Sequence, residues 1–163
     1  TRKESLIDDL AAAFADAGID VTVDRQTGEL AMDAAVLFKS DSAALTSEGK
    51  ELLDRFLTAY TEIVFSETYS GFVSRTMVEG HTAPLANSTY ETGLPLSVER
   101  AEAVRDYCLS TQSRYSAQLA EMLEAVGMSN TSPILNEDGT PNLAASRRVV
   151  FRFLIDLDAA ASN

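Results

Sequence analysis

The sequence predicts an α+β fold, a mixed β-sheet with helices packed on one of its faces. Three observations predict it. Apolar residues recur at helical spacing in two stretches, Leu6 to Ala17 and Leu52 to Val64. They alternate at strand spacing in two others, Ile19 to Asp24 and Arg148 to Ile155. A chain of 163 residues without repeats, low-complexity tracts or a plausible linker has the length of one domain with its own core.

Leu6, Ile7, Leu10, Phe14 and Ala17 form the stripe of a first helix. Asp8 and Asp9 are read into its first turn, where the helix dipole favours them, and Gly18 stops it. Ile19, Val21 and Val23 then alternate with Asp20, Thr22 and Asp24 as a half-buried strand. Arg25 to Gly28 reads as a turn, and Leu30, Met32, Val36, Leu37 and Phe38 supply the returning strand. Thr46 or Ser47 caps a second helix, whose stripe is Leu52, Leu53, Phe56, Leu57, Tyr60, Ile63 and Val64.

Phe72 to Glu79 reads as a strand and Gly80 to Leu96 as a loop rich in small and polar residues. Ser97 is expected to cap a third helix, with Ala101, Val104 and Cys108 on one face. Leu119, Met122, Leu123 and Val126 predict a short fourth helix, or a helix running into a strand at Val126 to Met128. After a loop from Asn130 to Ala145 comes the closing strand. Val149, Phe151, Phe153 and Ile155 face one way, and Arg148, Val150, Arg152 and Leu154 the other. The expected core joins Phe56, Leu57 and Tyr60 to Val104, Cys108, Val149, Phe151 and Phe153.

Composition narrows the function classes. Hydrophobic residues make up 45% and charged residues 23%, ordinary values for a globular protein. No apolar run approaches the roughly 20 residues needed to cross a bilayer. The chain opens on Thr1, Arg2, Lys3 and Glu4 and passes directly into an amphipathic pattern, so no export signal is read in it. Thirteen Lys and Arg against 25 Asp and Glu give a net charge of -12. That disfavours nucleic acid and anionic membrane surfaces as partners. Cys108 is the only cysteine, which excludes a disulfide within the chain and a cysteine-based zinc site.

Few residues carry chemistry. Arg100 falls in the first turn of its helix if Ser97 is the cap, where a cation is opposed by the dipole unless an anion neutralises both. A planar guanidinium beside free N–H groups would receive a carboxylate or phosphate; the alternative is a surface pair with Glu99 or Glu102. Arg147 and Arg148, at the start of the last strand, read as a second anion-binding feature or as partners of surface carboxylates. His81 is the only histidine, and with Glu79 on the same strand face it makes two ligands, too few to define a metal site. Nothing points to a nucleophile, a carboxylate pair or a glycine-rich phosphate loop. No cofactor, metal or enzymatic activity is expected.

Five segments in order are similar to the OmpA-like peptidoglycan-associated family. Val36-Leu37-Phe38-Lys39-Ser40-Asp41-Ser42-Ala43-Ala44-Leu45 resembles V-L-F-x-x-x-S-A-x-L, and Val78-Glu79-Gly80-His81-Thr82 resembles V-E-G-H-T. Leu96-Ser97-Val98-Glu99-Arg100-Ala101-Glu102-Ala103-Val104 resembles L-S-x-x-R-A-x-x-V. The segment Gly127 to Ile134 is similar to G-x-G-x-x-x-P, and Arg147-Arg148-Val149 to N-R-R-V. The resemblance runs from about Ala31 to Ile155. It implies an OmpA-like two-layer sandwich over residues 31–157, preceded by a lead-in helix and hairpin strand over 1–30.

The resemblance further implies a non-catalytic module on the extracytoplasmic side of a bacterial envelope, tethered by a segment outside this chain. Its partner would be the peptidoglycan stem peptide, above all the zwitterionic end of diaminopimelate. An arginine grips the carboxylate there, and Arg100 matches it; Phe38, Thr82 and Arg148 belong to the same implied site. An aspartate after G-H-T accepts from the ammonium, but Ala83 stands in its place. Losing one partner of a buried charged contact costs about 2–5 kcal/mol. Asp41 and Glu91 are the candidate replacements. Ser146 and Gly93 also stand where the family has asparagine. The altered pocket leaves two readings: a wall anchor, or the same scaffold used as a protein-interaction or structural domain.

Overall fold

In the computed structural model, which describes residues 1–111 and 114–156, the first helix starts on a reciprocal cap. Thr1 accepts from the Glu4 N–H while the Glu4 side chain returns to the cap backbone, fixing α1 (Arg2–Asp16). Glu4 is therefore the first-turn acid. Asp8 and Asp9 lie about a turn later than expected, and both reach other segments instead: Asp8 accepts from Arg25 at 2.6 Å and Asp9 from the Tyr69 hydroxyl at 2.6 Å. Burial first, and then the Asp9 carboxylate, push the Tyr69 phenol up to about 12. Gly18, at φ +64°, ends the helix in the left-handed conformation that suits glycine.

The expected hairpin forms, with a shorter first strand. Only β1 (Thr22–Val23) pairs with β2 (Leu30–Asp33), around a turn in which the Asp24 carboxylate accepts from the N–H groups of Gln26 and Thr27. The returning strand ends sooner than the sequence suggested. Asp33 caps a single helical turn, α2 (Ala34–Leu37), by accepting from the Ala35 N–H at 2.8 Å. Val36 and Leu37 are thus helical, and Phe38 only bridges to Leu45 across a short loop. Thr46 then caps α3 (Ser47–Val64).

A five-stranded sheet has the order β1-β2-β5-β3-β4. Its centre is the antiparallel pair β3 (Val73–His81) and β5 (Arg148–Ile155); β4 (Leu123–Gly127) joins β3 in parallel. Helix α5 (Ser116–Met122) runs directly into β4, and α6 (Leu143–Ser146) directly precedes Arg147. The largest departure from the sequence reading is α4 (Tyr90–Ser110). It is capped by Thr89, not Ser97, and it contains Pro95. A proline there removes one helical hydrogen bond. The turn before it is held from outside instead: the Ser129 hydroxyl donates to the Tyr90 carbonyl and the Asn130 amide to that of Thr89.

The register assigns the faces. Val78 lies opposite Phe151 and Gly80 opposite Val149, towards the helices. Glu79, His81, Arg148, Val150 and Arg152 take the other face. The core is centred on Phe56, whose ring lies 4.6 Å from that of Phe151, 5.3 Å from Phe14 and 5.4 Å from Tyr60. Every expected core residue belongs to this one cluster, together with Leu6, Leu10 and Phe14 of α1. The buried Tyr60 hydroxyl is satisfied by Thr76 at 2.8 Å.

Candidate functional site: a buried arginine without a carboxylate

Strand β3 and helix α4 meet backbone to backbone. A Cβ on Gly80 would fall 2.1 Å from the Ser97 carbonyl oxygen, so only glycine lets the helix sit this close. Ser97 itself is buried inside the helix, donating to the Leu94 carbonyl and accepting from the Ser129 N–H. One turn further along the same face is Arg100. Its guanidinium carbon lies 4.9 Å from the centre of the Phe38 ring, and its Nε donates to the Ser42 carbonyl at 2.9 Å. Arg100 is 7% exposed and Phe38 3%. The loop between Phe38 and Leu45 is shaped for this contact, with Asp41 in the left-handed region at φ 52°, which aspartate tolerates.

Placement in the third turn of α4 removes the dipole argument for Arg100, because the helix starts ten residues before it. What remains is stronger. Burial first pulls the Arg100 pKa down; the Asp41 charge opposes that shift and the Arg147 charge adds to it. The Arg147 charge therefore adds to the cost of keeping Arg100 ionised. Among the described residues no carboxylate comes within 4.0 Å of either. By contrast, Arg25, Arg75, Arg105 and Arg152 each have an acidic partner.

The other expected site residues divide. Arg148 donates to the carbonyls of Ser146 and Ser132, each at 3.0 Å, and strand parity directs it to the opposite face. Arg147, not Arg148, is the member of the pair whose charge reaches Arg100. The signal was present in the alternation: residue 147 shares the parity of Val149 and Phe151. Thr82 donates its N–H to the Ser129 carbonyl at 2.8 Å, while its hydroxyl is buried without a partner. A Cβ at Gly93 would lie 2.7 Å from that hydroxyl. Ala83 is buried. Glu91 is exposed in the first turn of α4, where the dipole favours it, whereas Asp41 is the carboxylate whose field Arg100 feels. Ser146 is committed to the fold, accepting from the Ile134 N–H and donating to the Asn142 carbonyl.

On the opposite face the buried Glu79 accepts from Arg152 at 2.9 Å and lies 3.4 Å from His81 Nε2. Burial raises its pKa, but the hydrogen bonds from His81 and Arg152 outweigh that and hold it below the usual range. Among the described residues no group of three or more His, Cys, Asp or Glu is placed to hold a metal, and no helix is long and apolar enough to cross a membrane.

This mixed five-stranded sheet with helices on one face is the fold of OmpA-like domains. The cell wall anchor of the T6SS from Pseudomonas aeruginosa superposes with a TM-score of 0.64 at 23% identity, over 90% of this chain and 97% of that one. A MotB-like protein from Desulfovibrio vulgaris gives 0.65 at 20% identity, over 93% of both chains. In sequence, the chain is similar to the Zorya protein ZorB of Escherichia coli, 28% identical over 148 residues. That match covers 85% of this chain, which spans 62% of the length of that curated relative. No family model matches the chain.

Proposed function

We propose that this chain is a non-catalytic wall-binding module that holds a larger envelope protein, on its extracytoplasmic side, against peptidoglycan through a stem-peptide carboxylate. The observation that carries the reading is Arg100, a nearly buried guanidinium stacked on Phe38 and without an ion pair among the described residues, in a chain of net charge -12. A desolvated charge is costly until something pairs with it. Its planar fork matches a carboxylate in two-point contact, and Arg147 adds a second positive charge that Arg100 feels. The similarity in fold to a protein described as a cell wall anchor supports the same reading. Nucleophilic chemistry at the only cysteine is disfavoured, since burial pushes the Cys108 thiol up to about 12.

A protein-interaction role is the second reading. Leu85 and Tyr90, on the segment after β3, and Leu135 and Leu143, on the segment before β5, are exposed apolar residues. Co-sedimentation with purified sacculi separates the two. The unmodified chain is expected in the pellet and Arg100→Ala in the supernatant. An unmodified chain that stays in the supernatant would remove the wall-binding reading and leave the interaction one.

A further inference from the structure

We propose that the Arg100 site prefers stem peptides whose side-chain amine is acylated, as in a cross-linked strand, over stems that carry it as a free ammonium. This rests on the wall-binding reading and adds a ligand preference to it. The register sets the geometry. His81 lies opposite Arg148, so Thr82 and Ala83 leave β3 at the same end of the sheet where Arg147 leads into β5. Arg147 in turn is felt by Arg100. At that end of the sheet Ala83 contributes a buried methyl, and Arg147 a second guanidinium.

The acceptors identified there are neutral carbonyls, each already engaged in one hydrogen bond. The Ser42 carbonyl already receives Arg100 Nε, the Ser129 carbonyl receives the Thr82 N–H, and the Ala83 carbonyl receives the Leu85 N–H. The Thr82 hydroxyl is uncommitted but sealed from solvent beside Gly93 and Ser129. Asp41 is negative but exposed, so water screens it. In a terminal diaminopimelate the carboxylate and ammonium sit on the same carbon. Gripping the carboxylate with Arg100 would bring the ammonium up to two like charges, with no buried anion to offset them. Acylation turns that ammonium into a neutral amide and removes the repulsion while leaving the carboxylate in place.

Calorimetric titration of the full chain compares a disaccharide-tripeptide bearing the free amine with the same compound N-acetylated at that amine. The acetylated ligand is expected to bind about five-fold tighter or more, the scale of a partly screened like-charge contact. Arg147→Ala should narrow that ratio, and Ala83→Asp should reverse it by supplying the acceptor. Equal or tighter binding of the free-amine ligand by the unmodified chain overturns the preference while leaving wall binding intact. An unchanged ratio in Arg147→Ala overturns it as well, since the charge would not be its cause. If neither ligand binds a chain that circular dichroism shows to be folded, the wall-binding reading itself fails, and this inference with it.

Discussion

Arg152 and Arg100 project from opposite layers of the same molecule and are treated in opposite ways. Arg152, on the strand face away from the helices, finds Glu79 at 2.9 Å, and Glu79 in turn lies beside His81. The chain supplies both ends of that contact, so it belongs to the fold. Arg100 is driven much deeper than Arg152, packed against Phe38 and a loop carbonyl, yet among the described residues it has no ion pair. With 25 acidic residues against 13 basic ones, a partner for Arg100 was available many times over. A cation paired by its own chain stabilises structure; one buried and left unpaired carries a desolvation cost that an outside anion would offset.

The largest expected effect breaks the second half of that comparison. Arg100→Ala should weaken binding to sacculi or to a soluble muropeptide by about 30-fold or more, corresponding to the roughly 2–5 kcal/mol lost when a buried charged contact is truncated. Thermal stability should change little, because the variant also relieves the cost of burying an unpaired charge. Arg100→Lys should recover only part of the affinity, since a point charge cannot reproduce a two-point grip. A large drop in melting temperature without loss of binding would assign Arg100 to the fold after all.

Glu79→Gln tests the first half. The neutral amide weakens the contact to Arg152 while keeping the volume, so a loss of about 1–2 kcal/mol of stability is expected, with binding to sacculi preserved. The sign with pH follows from the depressed pKa of Glu79. Its contribution is fully present above the ordinary glutamate value and is lost as pH falls through the lower, folded one. Denaturation midpoints of the two proteins should therefore converge as the solution is acidified from about pH 6 to pH 3. Curves that run parallel across that range would mean that the ion pair contributes nothing.

How far the sequence anticipated these two sites follows from which signals are local. The periodicities that placed Phe56, Tyr60, Phe151 and Phe153 in one core are properties of a few consecutive residues, and the structure keeps them all. The continuous run Val36-Leu37-Phe38 has no period, and an Asp33 cap decided it in favour of a helical turn. The start of α4 was misplaced for a tertiary reason. Pro95 and the serine at 97 read as a helix boundary, but Ser129 and Asn130, more than 30 residues later, anchor the turn that precedes them. Ser129 was hard to single out because it takes the left-handed conformation, φ 53°, at the second glycine position of its motif. Arg100 stands out in the sequence partly through a helix dipole that it does not meet in the fold. It keeps its place through Phe38 and Ser42, which only the folded loop brings to it.

The smallest effect concerns the one carboxylate that Arg100 senses. Asp41 sits exposed at the tip of the loop from Phe38 to Leu45, held in a left-handed turn rather than in an ion pair. If it were the chain's own partner for Arg100, removing its charge would unsettle the loop and leave the guanidinium stranded. The geometry argues otherwise: the guanidinium is held by the Ser42 carbonyl and the Phe38 ring, and water lies around the acid. Asp41→Asn preserves the side-chain shape and the tolerance for positive φ, so the loop should survive. What changes is one screened negative charge near an anion site, worth about 0.2–1 kcal/mol. Affinity for an anionic stem peptide should therefore rise about two-fold at low salt, and the gain should fade as ionic strength approaches 0.5 M or so. A tenfold loss of binding instead would make Asp41 a direct ligand contact, and the site would then hold a carboxylate acceptor of its own beside Arg100.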